Sequence, residues 1–172
     1  MGIEIESIIL GNRIMIVGSG GAGKSTLAIK LNELLKIPLI HLDKEYWKPG
    51  WEESPKKEWH EKQNKMIENI NWIIDGNYGG TLDIRFSKAD TVIFLDYNRL
   101  ICTYRIFKRW IKNFNKKRID MAEGCKEKID IQFIKWVWEF PNKSRYKIIE
   151  TMEKYDDVKK IILKNSKDTK LF

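Results

Sequence analysis

The stretch Arg13-Ile14-Met15-Ile16-Val17-Gly18-Ser19-Gly20-Gly21-Ala22-Gly23-Lys24-Ser25-Thr26 decides the fold. Arg13 to Val17 has the length and apolar character of one buried strand. Gly18 to Ser25 then fits GxxxxGK[ST] without a mismatch, and Leu27, Leu31, Leu34 and Leu35 follow at helical spacing. A glycine-rich motif between a strand and a helix is the setting of a phosphate-binding loop. A triphosphate must be held by many directed donors, and glycine keeps side chains out of its approach. Successive amides of Gly18, Ser19, Gly20, Gly21, Ala22 and Gly23 form a concave anion nest, and the helix behind adds its N-terminal dipole. Lys24 is expected on the β and γ phosphates of ATP, Ser25 on Mg²⁺, and Thr26 as an auxiliary phosphate contact.

Outward from the loop, strand-like and helix-like segments alternate, which argues for a parallel sheet with covering helices. Ile37 to His41, Trp72 to Ile74, Thr91 to Leu95 and Val158 to Leu163 read as four more strands. The fold class is therefore α/β, a doubly wound sheet of five parallel strands in a single domain, 1–172. Ser54 and Pro55 offer an N-cap and a first-turn proline for a helix to about Ile70. Leu100, Tyr104, Phe107, Ile111 and Phe114 mark the apolar face of a long helix. Phe133, Ile134, Val137 and Phe140 mark another, ended by Pro141, and Ile148, Ile149, Met152 and Tyr155 a last one.

At 42% hydrophobic and 33% charged residues the composition is that of a globular chain. Its apolar runs fall far short of the roughly 20 residues of a membrane span. The start, Met1-Gly2-Ile3-Glu4, carries an acid where a signal peptide is basic. No membrane partner and a cytoplasmic location are expected, with Cys102 and Cys125 as free thiols. The net charge of +8 implies anionic partners without choosing among them.

In an open α/β sheet the ligand crevice lies beyond the carboxyl ends of the strands. Asp43, Asp75 and Asp96 each follow a strand-like run. Asp75 is the metal candidate, because Gly76, Gly79 and Gly80 behind it let backbone approach a ligand. Asp96 has the look of a Walker B carboxylate, so the Mg²⁺ assignment stands between the two. Asp43 sits where an acceptor hydroxyl or phosphate would be oriented.

From Arg99 to Arg118 there are eight basic residues and no acid. Arg105, Arg109, Lys112 and Lys116 share the helix face opposite the apolar one, and the arginine pair suits phosphate. Trp59, Trp72, Trp136 and Trp138 read as core. Trp47 and Trp51 lie in a Pro-Gly loop beside the acceptor candidate, where stacking on a flat acceptor is an option.

The P-loop, Ile37-Pro38-Leu39-Ile40-His41-Leu42-Asp43, Trp47-Lys48-Pro49-Gly50-Trp51, Trp72-Ile73-Ile74-Asp75-Gly76-Asn77-Tyr78, Asp90 to Asp96 and Asp120-Met121-Ala122-Glu123-Gly124-Cys125 together resemble the topology modulation proteins. That family is a bacterial branch of the adenylate-kinase-like P-loop kinases. The resemblance implies strand order 2-3-1-4-5, an acceptor-binding insertion at about 43–70, and an arginine-bearing lid at about 110–140. It implies Arg105 and Arg109 as an RxxxR pair opening the lid, with Arg145 matching a later lid arginine. Adenylate kinases continue Asp-Gly with Phe-Pro-Arg, whereas Asn77-Tyr78-Gly79 stands here, which counts against AMP. The expected activity is phosphoryl transfer from Mg·ATP to a small acceptor, catalysed by Lys24, Asp43, Arg105 and Arg109. A nucleic-acid-associated ATP-binding regulator and a slow ATPase are the rival readings.

Overall fold

The computed structural model describes residues 10–113, 122, 124, 125 and 130–172, the side chains of Asn113 and Leu171 excepted. Its strands are β1 (Arg13–Gly18), β2 (Leu39–His41), β3 (Trp47–Lys48), β4 (Glu52–Glu53), β5 (Trp72–Asp75), β6 (Thr91–Leu95) and β7 (Lys159–Leu163). Five of these are parallel and form one sheet, β2-β5-β1-β6-β7. Counted within the sheet, that is the order 2-3-1-4-5. β3 and β4 pair separately as an antiparallel hairpin.

The helices are α1 (Lys24–Leu35), α2 (Leu42–Tyr46), α3 (Lys56–Ile67), α4 (Leu82–Phe86), α5 (Arg99–Asn113), α6 (Ile131–Glu139), α7 (Ser144–Lys154) and α8 (Ser166–Leu171). They cover both faces, so the central strands are apolar throughout rather than alternating with polar residues. Alternate side chains feed two cores. Met15, Val17, Trp72, Ile74, Val92 and Phe94 pack with Trp59, Phe86, Phe140, Ile148 and Met152 on one side. Ile14, Ile16, Ile73, Ile93 and Leu95 pack with Leu27, Leu31, Cys102, Ile106 and Val137 on the other. No helix among the described residues is long and apolar enough to cross a membrane. Cys102 and Cys125 are free and buried.

The structure corrects four local expectations. Ser54 does not cap α3: its hydroxyl donates to the Tyr46 carbonyl at 2.5 Å, and Pro55 takes the N-cap position. That helix ends at Ile67, leaving Ile70 exposed. Trp138 is 43% exposed rather than core, with the Arg99 guanidinium 4.4 Å from its ring centroid. The expected apolar face of α5 points outward: Leu100 is 60% exposed, Tyr104 64% and Ile111 71%. Phe114 and Lys116 lie outside the described residues.

The inward side of α5 carries Cys102 and Ile106 instead. The glycine loop packs against this side of the helix: a Cβ on Gly21 would lie 2.4 Å from the Cys102 carbonyl oxygen and 3.0 Å from the Ile106 side chain. Cys102 and Ile106 are buried there in the second core. Ile106→Ala should therefore destabilise the chain by about 2 to 5 kcal/mol. Leu100→Ala and Ile111→Ala should each change stability by no more than about 0.5 kcal/mol. Urea denaturation checks this, and the reverse order would restore the outward stripe as the buried one.

Candidate active site at the carboxyl edge of the sheet

Because the five strands are parallel, their carboxyl ends share one edge. Register places His41 beside Asp75, Asp75 beside Ile16, and Gly18 beside Leu95. Asp43, Asp75 and Asp96 therefore flank the loop that leaves β1.

The loop turns with Ala22 N–H donating to the Ser19 carbonyl at 3.2 Å, and Gly23 (φ 102°) occupies the N-cap of α1 without a side-chain cap. First-turn amides with no capping side chain are the donors a phosphate oxygen accepts from. Gly21 has φ 77° as well as the close approach to Cys102. A Cβ on Gly20 would lie 2.5 Å from Phe133 Cζ of α6, so that helix is seated on the loop. Asp130 fixes its start by accepting from the Gln132 and Phe133 amides. Lys24 Nζ donates to the Ser19 carbonyl at 3.0 Å, which folds its ammonium back across the loop. Ser25 lies in the first turn of α1, partly exposed, and Thr26 is exposed.

The aspartates have different partners. Asp96 binds Arg145 of α7 through both oxygens, at 2.8 and 2.9 Å, and that carboxylate raises the guanidinium pKa. Asp75 is 5% exposed; its Oδ2 accepts from His41 Nδ1 at 2.9 Å, while its buried Oδ1 has no hydrogen-bond partner. An orphaned carboxylate oxygen suits Mg²⁺ or a water bound to it, whereas Asp96 is already neutralised. Among the described residues no group of three or more His, Cys, Asp or Glu could hold a metal ion. A protein contribution of one carboxylate and one hydroxyl, with phosphate and water completing the shell, fits Mg²⁺. Asp43 of α2 accepts from Tyr78 Oη at 2.8 Å. Burial, with Asp43 alongside, pushes the Tyr78 pKa well up, so the phenol remains a donor at physiological pH.

Four contacts escaped the sequence-based expectations. His41, the last residue of β2, reaches the Asp75 carboxylate through its Nδ1. Asn77 clasps the loop: its Oδ1 accepts from Gly18 N–H at 2.9 Å and its Nδ2 donates to the Gly18 carbonyl at 2.6 Å. Arg85 of α4 is fully buried and donates to the carbonyls of Gly76 at 2.8 Å, Tyr78 at 3.3 Å and Asn77. Its burial lowers the guanidinium pKa to about 9, so it stays charged at pH 7. Finally, Ala122 and Cys125 pack against Trp47 and Trp51, and Cys125 Sγ donates to the Lys48 carbonyl at 3.4 Å. The two stretches are distant in sequence, and no periodicity links them.

Arg105 donates to the Ala22 carbonyl at 3.1 Å and to Ser166 Oγ at 2.6 Å, and its guanidinium lies 5.1 Å from the Tyr97 ring centroid. It thus faces the glycine loop. Arg109 is partly buried on the same helix. Beside Tyr97 opens a groove of about 520 Å³ lined by Asp96, Arg99, Pro141, Arg145 and Lys164 among others.

No family model matches the chain, and no curated protein matches it. Among solved structures it is similar to the shikimate kinase of Aquifex aeolicus, at TM-score 0.50 and 20% identity over 92% of this chain and 89% of that one. It is also similar to the YorR protein of Bacillus subtilis, solved in complex with phosphorylated GDP. That match has TM-score 0.51 and 18% identity over 88% of this chain and 84% of the other. The fold is that of the P-loop kinases.

Arg85→Met removes the donor of three carbonyls at once. It should cost about 2 to 4 kcal/mol of stability in urea denaturation, because the acceptors stay buried while their donor is lost. A cost below about 0.5 kcal/mol would show that water replaces the guanidinium.

Proposed function

We propose that this chain is an ATP-dependent kinase that transfers the γ-phosphoryl group of Mg·ATP to a small acceptor, a nucleotide or hydroxylated metabolite. The observation that carries the proposal is the placement of two unlike acids at one sheet edge. Asp75, with its unpartnered oxygen, lies beside the strand that leads into the glycine loop, and Asp43, held by Tyr78, lies beyond β2 on the far side. An ATPase needs only the first. The P-loop kinase fold supports the same reading, and the tryptophan hairpin and the Ala122-to-Cys125 stretch support placement in the topology modulation branch.

In this reading the amides of Gly18 to Ser25 and the Lys24 ammonium hold the triphosphate, with Lys24 leaving the Ser19 carbonyl for the β and γ phosphates. Ser25 and Asp75 hold Mg²⁺, which supplies charge neutralisation to the phosphates. The acceptor hydroxyl, oriented by Asp43, attacks the γ-phosphorus. The bond to the β–γ bridging oxygen breaks, ADP leaves, and Asp43 takes the hydroxyl proton. Arg105 and Arg109 stabilise charge on the transferring group, where positioned guanidinium groups contribute on the order of a thousandfold. Residues 43–70 form the acceptor-binding insertion and 110–140 the lid, of which 114–121, 123 and 126–129 lie outside the described residues. Such an enzyme works in the cytoplasm, where ATP is. A nucleic-acid grip would need Arg105 outward, and it is bound to the loop and Ser166.

Lys24→Ala should abolish acceptor-dependent ADP release while circular dichroism stays unchanged, because its work is electrostatic. Asp75→Asn should lose Mg²⁺-dependent turnover with metal-free nucleotide binding retained. Asp96→Asn should instead lower stability through its lost pairing with Arg145. ATP hydrolysis indifferent to every acceptor offered would leave a slow ATPase in place of the kinase.

A further inference from the structure

The carboxyl ends of β2 and β5 are pinned together just beyond their ladder. His41 and Asp75 are register partners, so their side chains rise from the same face of the sheet. Leu42 and Gly76 follow them, and a Cβ on Gly76 would lie 2.8 Å from Leu42 Cβ. Gly76 stands at φ 143°, where a side chain would be strained as well as crowded, and Leu42 is fully buried. Strand ends that meet this closely hold the two side chains ahead of them side by side. His41 Nδ1 lies 2.9 Å from Asp75 Oδ2, with the imidazole 10% and the carboxylate 5% exposed.

An ionised carboxylate only accepts, so the hydrogen of this bond sits on Nδ1. The bond fixes Oδ2 and with it the plane of the carboxylate, because rotation about Cβ–Cγ would break it. Oδ1, buried and without a hydrogen-bond partner, is left as the oxygen available to a metal. Asp96 shows the alternative. Both of its oxygens are taken by Arg145, whose guanidinium brings a permanent positive charge. An imidazole N–H holds one oxygen and leaves the other, and it needs no permanent charge to do so. Carboxylates that bind metals are themselves held by hydrogen bonds, and loss of such a partner typically lowers metal affinity by about 10- to 100-fold.

Resting on the assignment of Mg²⁺ to Asp75 in the kinase reading above, we propose that His41 is the positioning residue of the metal site. Its Nδ1–H locks the Asp75 carboxylate in the orientation that offers Oδ1, and His41 acts on the metal through Asp75 alone. A buried histidine that served only the fold would contribute stability and leave metal affinity untouched, and that difference separates the two roles.

The test follows Mn²⁺, a paramagnetic stand-in for Mg²⁺, by electron paramagnetic resonance as it binds the full chain saturated with a non-hydrolysable ATP analogue. Affinity for the analogue without metal and urea denaturation are measured in parallel, and no acceptor is required. His41→Ala should weaken Mn²⁺ binding by roughly 10- to 100-fold, with metal-free nucleotide affinity unchanged. His41→Asn, whose amide nitrogen falls close to the place of Nδ1, should recover most of the loss. His41→Gln fills the space but carries its nitrogen further out; it should behave as the alanine variant does, and it decides the matter if that variant is unstable. Mn²⁺ affinity unchanged in His41→Gln and His41→Ala but lost in Asp75→Asn would overturn the positioning role and leave the metal assignment standing. A loss in His41→Asn as large as in His41→Gln would overturn it too, since the whole imidazole would then be needed. If Asp75→Asn binds Mn²⁺ as tightly as the unaltered chain, the metal assignment itself fails and the role of His41 falls with it.

Discussion

The Arg85 guanidinium is fully buried, and three consecutive backbone carbonyls, those of Gly76, Asn77 and Tyr78, accept hydrogen bonds from it. Burying a charge is costly unless hydrogen bonds replace its hydration, and a planar fork is the group that can serve several carbonyls at once. The consequence is a fixed loop. Asn77 is then aimed at both backbone groups of Gly18, and Tyr78, in a left-handed conformation at φ 42°, is aimed at Asp43. One buried charge thereby sets the entry to the glycine loop and the orientation of the acid across from it. A lysine ammonium also carries three donors, but on one atom at the end of a flexible stem, whereas the guanidinium spreads its donors over separate nitrogens of a rigid fork.

The glycine loop is shaped by what crowds it as much as by its own freedom. α5 approaches at Gly21 and α6 at Gly20, each so closely that a Cβ would collide. These contacts bring Arg105 over the loop and its hydrogen bond to Ala22. The loop is consequently a layer in the packing of the second core and not a free turn. That is why Gly20 and Gly21 have no room for a Cβ, a restriction that packing adds to the needs of the phosphate nest.

The sheet and the loop were legible in the sequence because long apolar runs, each broken by glycine or aspartate, admit few arrangements. The three acids were found for the same reason: an aspartate directly after a buried run must lie at the carboxyl edge. What the sequence could not tell is which partner each would take. Asp96 and Arg145 are 49 positions apart, and His41 and Asp75 are 34 apart. Nothing local distinguishes the neutralised carboxylate from the one with a spare oxygen. Both sides of α5 carry apolar residues, Leu100, Tyr104 and Ile111 on one and Cys102 and Ile106 on the other, so spacing alone does not tell which of them is buried. Trp138 was misjudged because bulk alone does not imply burial when a cation is available to cover the ring. The hairpin at Trp47 and the stretch ending at Cys125 are each distinctive in sequence, but their contact is tertiary and leaves no local signal.

Charge is unevenly distributed along the sequence: residues 99–118 carry eight basic residues and no acid, while residues 43–70 are slightly acidic. Arg105, within that basic stretch, is hydrogen-bonded to the Ala22 carbonyl, so part of this positive charge stands beside the phosphate nest. Its field and the N-terminal dipole of α1 act on an anion in the same sense, and the glycine loop is the place where they meet.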